Sequence, residues 1–199
     1  MLPQSSGAAK RFLNWKTFYE QSLKRRPIIT KIFTGSFLAG AGDIVAQRIQ
    51  IVSANNKGLE TDFDYRRTFS MIVFGALYGG LYQHLLFQRY SHWWPIDLNA
   101  PIQSRLKPAL KTVAFHQFVN YPLAYFPLFF SITEAVRGRT AEQAMSSFQR
   151  HMWPLYKQGV IIWVPAMVAQ FLFIPVPQQV LWVSTFSFCW STYMSWSAL

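Results

Sequence analysis

Long runs without Asp, Glu, Lys or Arg alternate along this chain with short polar connections. The last run is the longest, forty-two residues from Gln158 to Leu199. One helix crosses a hydrocarbon core of ~30 Å in about 20 residues, so this run is long enough for two crossings. Pro175-Val176-Pro177-Gln178-Gln179 lies near its middle. Two prolines so close remove backbone donors and clash with the preceding turn, which predicts a hairpin with arms over 160–174 and 180–196. Pro165 tilts or kinks the first arm, or the arm extends back toward Trp153.

Upstream, residues 68–88 and 112–133 are charge-free over twenty-one and twenty-two residues, and between Lys31 and Arg48 the single charge is Asp43. Three upstream runs and a final run holding one or two crossings predict an all-α, multi-spanning membrane helix bundle of four helices, or five. The connections are polar: Asn55-Asn56-Lys57-Gly58 through Asp64, and a longer, partly helical stretch from Glu134 to Lys157. The predicted layout is a basic amphipathic segment over 1–26 and one bundle domain over 27–199, with Pro27 opening the first span, where a missing N–H costs least.

Small residues recur at helical spacing. Gly35, Ala39, Gly42 and Ala46 share one face of the first span, and Gly75 and Gly79 form a GxxxG pair with Gly80 beside it. Such faces let membrane helices approach closely, so these glycines are the packing candidates, and Gly79→Leu or Gly42→Leu should force helices apart. Polar groups also sit inside the runs: Asp43, Gln47, Gln83, His84, His116, Gln117, Asn120 and Gln170. Polar side chains within a membrane face the bundle interior or a watery path. Both readings stay open, a solute pore or interhelical hydrogen bonding in a dry bundle. Asp43 lies about 24 Å from Pro27 at ~1.5 Å per residue, and needs a partner in His84, His116, Arg67 or water.

Composition strengthens the membrane reading. Of 199 residues 51% are hydrophobic, 18% aromatic and only 14% charged, against about 25% charged in soluble domains. The net charge of +11 falls between the apolar runs rather than along one stripe, which suits interfacial connections and argues against direct nucleic-acid binding. Basic counts on alternate connections are too even to orient the chain. Over 1–26, Lys and Arg surround Phe12, Trp15, Tyr19 and Leu23 at helical spacing, which describes an organelle-addressing helix, a surface anchor or a helix packed on the bundle. It lacks the uninterrupted apolar core of a secretory signal.

Catalytic chemistry finds no motif. The four histidines are scattered, and no H-E-x-x-H, G-x-S-x-G or phosphate-cradling glycine loop occurs. A paired site from His84 and His116 is the one metal arrangement the sequence allows, and packing or hydrogen bonding explains both residues more simply. The expectation is therefore a non-enzyme with no cofactor, no metal and no catalytic residue. Cys189, the single cysteine, excludes an intramolecular disulfide.

Trp15-x3-Tyr19-x3-Leu23-x3-Pro27-x2-Thr30, Gly35, and Gly42-Asp43-x3-Gln47 are followed by Asp64-Tyr65-Arg66-Arg67-Thr68, Gly75, Gly80 and His84. Gln117, Pro122, Gly138-Arg139, Trp153-Pro154, Trp163, Phe171-x3-Pro175, Trp190 and Tyr193-Met194-Ser195 complete the series. In this order the motifs resemble the Mpv-seventeen and peroxisomal-membrane-protein-twenty-two family, with its yeast Sym-one type, over roughly 15–196. The chain departs from that pattern at Ser70, Leu81, His116, Val164, Gln170 and Gln179. The resemblance implies a four-helix, multi-pass protein of the mitochondrial inner membrane, with the peroxisomal membrane as the alternative. It further implies a weakly selective channel or pore for small solutes, the alternative being a non-conducting structural or scaffold protein. The implied partners are the lipid bilayer, small solutes and a second copy in a homo-oligomer.

Overall fold

The computed structural model describes residues 17–197, with side chains described through residue 189. Phe12 and Trp15 of the basic segment, and the side chains of Trp190 and the Tyr193-Met194-Ser195 motif, lie outside that set. The described residues form helices and no strand. Helix α1 covers 17–25, α2 is Pro27–Asn56, and α3 is Tyr65–Trp93. Helix α4 covers 102–136, α5 is Ala141–Phe173, and a 3₁₀ turn at Val176–Gln178 leads into α6, Gln179–Ser197. Of these, α2, α3 and α5 are each long and apolar enough to cross a membrane. The other charge-free runs fold into α4 and α6.

The side chains are distributed inside out relative to a water-soluble bundle. Phe33, Phe118 and Ile161 are 70%, 66% and 75% exposed, whereas Gln117 and Gln170 are 1% and 0% exposed. Large apolar groups on the outside and amides within make sense when the surrounding solvent is hydrocarbon. The chain folds as an all-α membrane bundle.

Two helix ends are closed by glycine. At Gly58 and Gly138 the backbone takes φ of +73° and +78°, and in each case the amide of the following residue donates back to a carbonyl of the last turn: Leu59 to Ala54, and Arg139 to Glu134. This left-handed closure needs no Cβ and satisfies otherwise orphaned carbonyls. The second closure leaves a short connection over 137–140, and the rest of the polar stretch from Glu134 to Lys157 is helical. Helix α5 begins at Ala141 because Thr140 and Gln143 form a reciprocal capping box, and it runs through both Pro154 and Pro165.

The turn at Pro175 is where the sequence places it, and Trp163 of α5 meets Phe186 of α6 with ring centroids 5.1 Å apart. Helix α6 nevertheless packs chiefly along α2 and only briefly against α5. The basic segment is bound to the bundle over its described part: Leu23 is buried, and Thr34 of α2 bonds the Tyr19 hydroxyl at 3.5 Å. Burial raises the Tyr19 pKa, partly offset by that bond.

Helices α2 and α3 cross at glycine. A Cβ on Gly35 would strike the Gly75 carbonyl, and one on Gly80 would strike the Ile32 backbone. Gly79 corrects an expectation, because a Cβ there meets only the Gly35 Cα at an ordinary 3.8 Å. The tight pair across the crossing is thus Gly75 and Gly80, five apart. That spacing follows from the wide π winding of Gly75–Tyr82, which rotates successive turns differently from an α-helix. Gly42 is buried in α2.

Candidate functional site

A cavity of about 560 Å³ lies inside the bundle, with walls from α2 through α6. Its lining on α2 extends from Gly35 to Gln50, about 22 Å at ~1.5 Å per residue. Two π-helical segments supply much of the wall, Gly75–Tyr82 in α3 and His116–Tyr125 in α4, the latter enclosing Pro122. Pro122 lacks a donor N–H, and the wider winding accommodates it without ending the helix. Segments of this kind are frequent at functional sites.

One end of the cavity is polar. The Arg67 Nε lies 2.8 Å from Asp43 Oδ1, the Thr68 hydroxyl donates to Asp43 Oδ2 at 2.7 Å, and Gln47 Nε2 donates to the same oxygen at 2.7 Å. Gln47 Oε1 accepts from the Asp64 amide at 2.7 Å, and Arg67 Nη1 donates to Gln50 at 2.9 Å. Asp64 caps α3 by accepting the Arg67 amide at 2.9 Å and pairs with Arg137, which follows the last residue of α4, at 2.9 Å. The Arg67 amide bond chiefly, with help from the Arg137 guanidinium, holds the Asp64 carboxyl below the usual carboxylate range despite some desolvation. Of the partners open to Asp43, the structure selects Arg67.

Beyond Gln83 and His116 the cavity borders an apolar cluster. Phe87, Tyr90, Val113, Phe171 and Val180 are buried together, and Met167 and Val183 belong both to this cluster and to the cavity wall. Phe87 and Phe171 meet edge to face at 5.9 Å.

The candidates from the sequence divide into three groups. Asp43, Gln83, His116 and Gln117 line the cavity. Gln47 belongs to the polar network behind Asp43, and Asn120 bridges two tyrosines of α3, accepting from Tyr82 at 2.7 Å and donating to Tyr78 at 3.1 Å. His84 and Gln170 lie off the cavity wall: His84 Nδ1 is 2.9 Å from Lys31 Nζ, and Gln170 is buried with neither side-chain atom hydrogen-bonded. The two histidines have separate partners, since His116 Nδ1 faces the Tyr90 hydroxyl at 3.2 Å. Among the described residues no cluster of three or more His, Cys, Asp or Glu could hold a metal ion.

Sequence reasoning missed Lys31, which is fully buried beside the helix crossing, and the wall residues Tyr78 and Tyr121. Lys31 stands four residues before Gly35, so the small-residue face already pointed it inward. Tyr121 had a weaker signal in Gly159, where a Cβ would meet its hydroxyl at 2.6 Å.

Residues 134–195 match the Mpv17 / PMP22 family. The yeast (Saccharomyces cerevisiae) protein named Protein SYM1 is 29% identical over 89% of this chain and 87% of its own. The proteins named Mitochondrial inner membrane protein Mpv17 from Danio rerio and Xenopus laevis are 24% and 29% identical, each over 92% of this chain and 96% of their own. No solved structure matches the chain.

Proposed function

With the chain's likeness to the Mpv17 / PMP22 family as premise, we propose that it is a multi-pass protein of the mitochondrial inner membrane whose central cavity belongs to a path for small solutes. The observation that carries this reading is convergence. Asp43, Gln83, His116 and Gln117, spread over three helices, border one space of about 560 Å³. Polar groups serving only to glue helix pairs together would have no reason to share a lumen. Support for the compartment comes from the two relatives whose names state it. In this reading the apolar cluster that borders the cavity at Met167 and Val183 is the gate that parts for passage. No side chain acts as a catalyst in this reading.

The cluster also gives the scaffold reading its one observation, since a permanently closed end would make the cavity a blind chamber. Flux separates the two. Purified full-length protein in liposomes should release small encapsulated neutral solutes faster than liposomes carrying a variant with the cavity filled. Equal release from both would remove the conducting role. Fractionation of mitochondria and peroxisomes, with the protein following inner-membrane markers, checks the compartment.

A further inference from the structure

We propose that the cavity selects an uncharged, flat, largely apolar molecule carrying a single hydrogen-bonding group, and turns away ions and phosphorylated solutes. This rests on the reading of the cavity as a solute site and specifies its occupant.

Three observations carry the inference. First, the formal charges on the wall are Asp43 and Arg67, and they neutralise each other at 2.8 Å. Among the described residues of the wall there is no further Lys or Arg to meet a phosphate or carboxylate, and no further Asp or Glu to meet a cation. An ion entering would lose its hydration without gaining a counter-charge. Second, the wall is rich in aromatic rings: Phe74, Tyr78, Tyr121, Tyr125, Phe129 and Trp163. Tyr78 and Tyr125 stand edge to face at 5.1 Å, a surface that favours a flat ring over a flexible chain. The volume falls in the range of small-molecule pockets, which are mostly apolar with a few polar groups that fix orientation.

Third, the wall holds unused hydrogen-bonding capacity. Gln83 and Gln117 are buried, yet Gln83 Oε1 and Gln117 Nε2 have no partner within the protein. Buried amide atoms are nearly always paired, so exceptions bordering a cavity call for a partner from outside. One amide contributes an acceptor and the other a donor, which suits a lactam, amide or phenol. Both free atoms are themselves covered, so an occupant meets them when the side chain turns toward the cavity.

The test uses full-length protein in nanodiscs with 2-quinolone, a neutral bicyclic lactam, as probe. 2-Naphthoate and naphthyl phosphate serve as charged analogues, and empty nanodiscs report partition into lipid. The expected result is saturable one-site binding of 2-quinolone above the lipid background, with the charged analogues at least tenfold weaker. Gln117→Leu should weaken binding at least fivefold. Gly79→Leu, whose side chain has room to enter the cavity, should do the same. Gln170→Leu, at an equally unpaired amide off the cavity, should leave binding unchanged, and thermal melts confirm that each variant is folded. Linear uptake equal to that of empty nanodiscs would overturn the inference, as would equal binding of 2-naphthoate or full binding by folded Gln117→Leu. Saturable binding without liposome flux would leave this inference standing and sink the conducting role. Flux of small neutral solutes without saturable 2-quinolone binding would do the reverse.

Discussion

The two ends of the bundle hold together by different physics. Around Asp43 the helices are joined by directed contacts: an ion pair to Arg67, hydrogen bonds from Gln47 and Thr68, and a second pair between Asp64 and Arg137. Around Phe87 they are joined by apolar contact among rings and branched side chains, with no buried charge in the cluster. Directed contacts fix register but lose much of their strength where water reaches them. Close packing tolerates a few ångströms of sliding only by opening voids. In the proposed path the directed contacts of the polar end keep its helices in register, and the apolar end can part only by opening voids.

The largest effect should come from neither end but from the crossing that supports both. Gly80→Leu would push a side chain into the Ile32 backbone, and the protein should lose its monodisperse peak in size-exclusion chromatography. Gly79→Leu should keep that peak, since only an ordinary contact lies in its way. If Gly80→Leu eluted like the parent, the crossing would not be the frame on which the two ends are built.

At the apolar end, Phe87→Ala should cost about 3–5 kcal/mol by emptying a packed site, read as a lower thermal midpoint in detergent. If the cluster is the closed gate, the same variant should raise solute leak in liposomes. Lower stability with unchanged leak would separate the cluster from gating.

At the polar end, Asp43→Asn should cost about 1–3 kcal/mol, because it leaves a guanidinium without its counter-charge while keeping the hydrogen bonds to Gln47 and Thr68. The cost stays moderate because the Arg67 side chain is 31% exposed. The double variant Asp43→Asn/Arg67→Gln should recover part of the loss. Additive losses would dissolve the pair as a unit.

The smallest effect is a pH dependence at Asp64. Its carboxyl titrates lower in the folded protein than in the unfolded chain, so its contribution is complete above the ordinary carboxylate range and is lost as pH falls through the depressed value. Exposure and salt hold that contribution below about 1 kcal/mol. The acid limb of the melting-midpoint profile should be shallower in Asp64→Asn than in the parent. Superimposable profiles would show that the pair with Arg137 does not anchor the polar end.

Much of this molecule is written locally. Charge-free runs of membrane length, the break at Pro175, the left-handed ends at Gly58 and Gly138 and the small face at Gly35 follow from neighbouring residues, because a helix in hydrocarbon must satisfy its own backbone and hide its own polar groups. The motif series from Tyr19 to Trp163 was legible for the same reason, each piece sitting at a fixed offset within one helix. Which polar groups share a lumen was not legible. Asn120 and Gln117 are three residues apart, yet one is consumed by two tyrosines of α3 and the other borders the cavity with a donor unused. The choice of Arg67 for Asp43, the burial of Lys31 against His84, the replacement of Gly79 by Gly80 at the crossing and the preference of α6 for α2 over α5 were likewise decided in three dimensions. Each depends on the rotation of one helix against another, and two π-wound segments alter that rotation in a way no α-helical spacing anticipates.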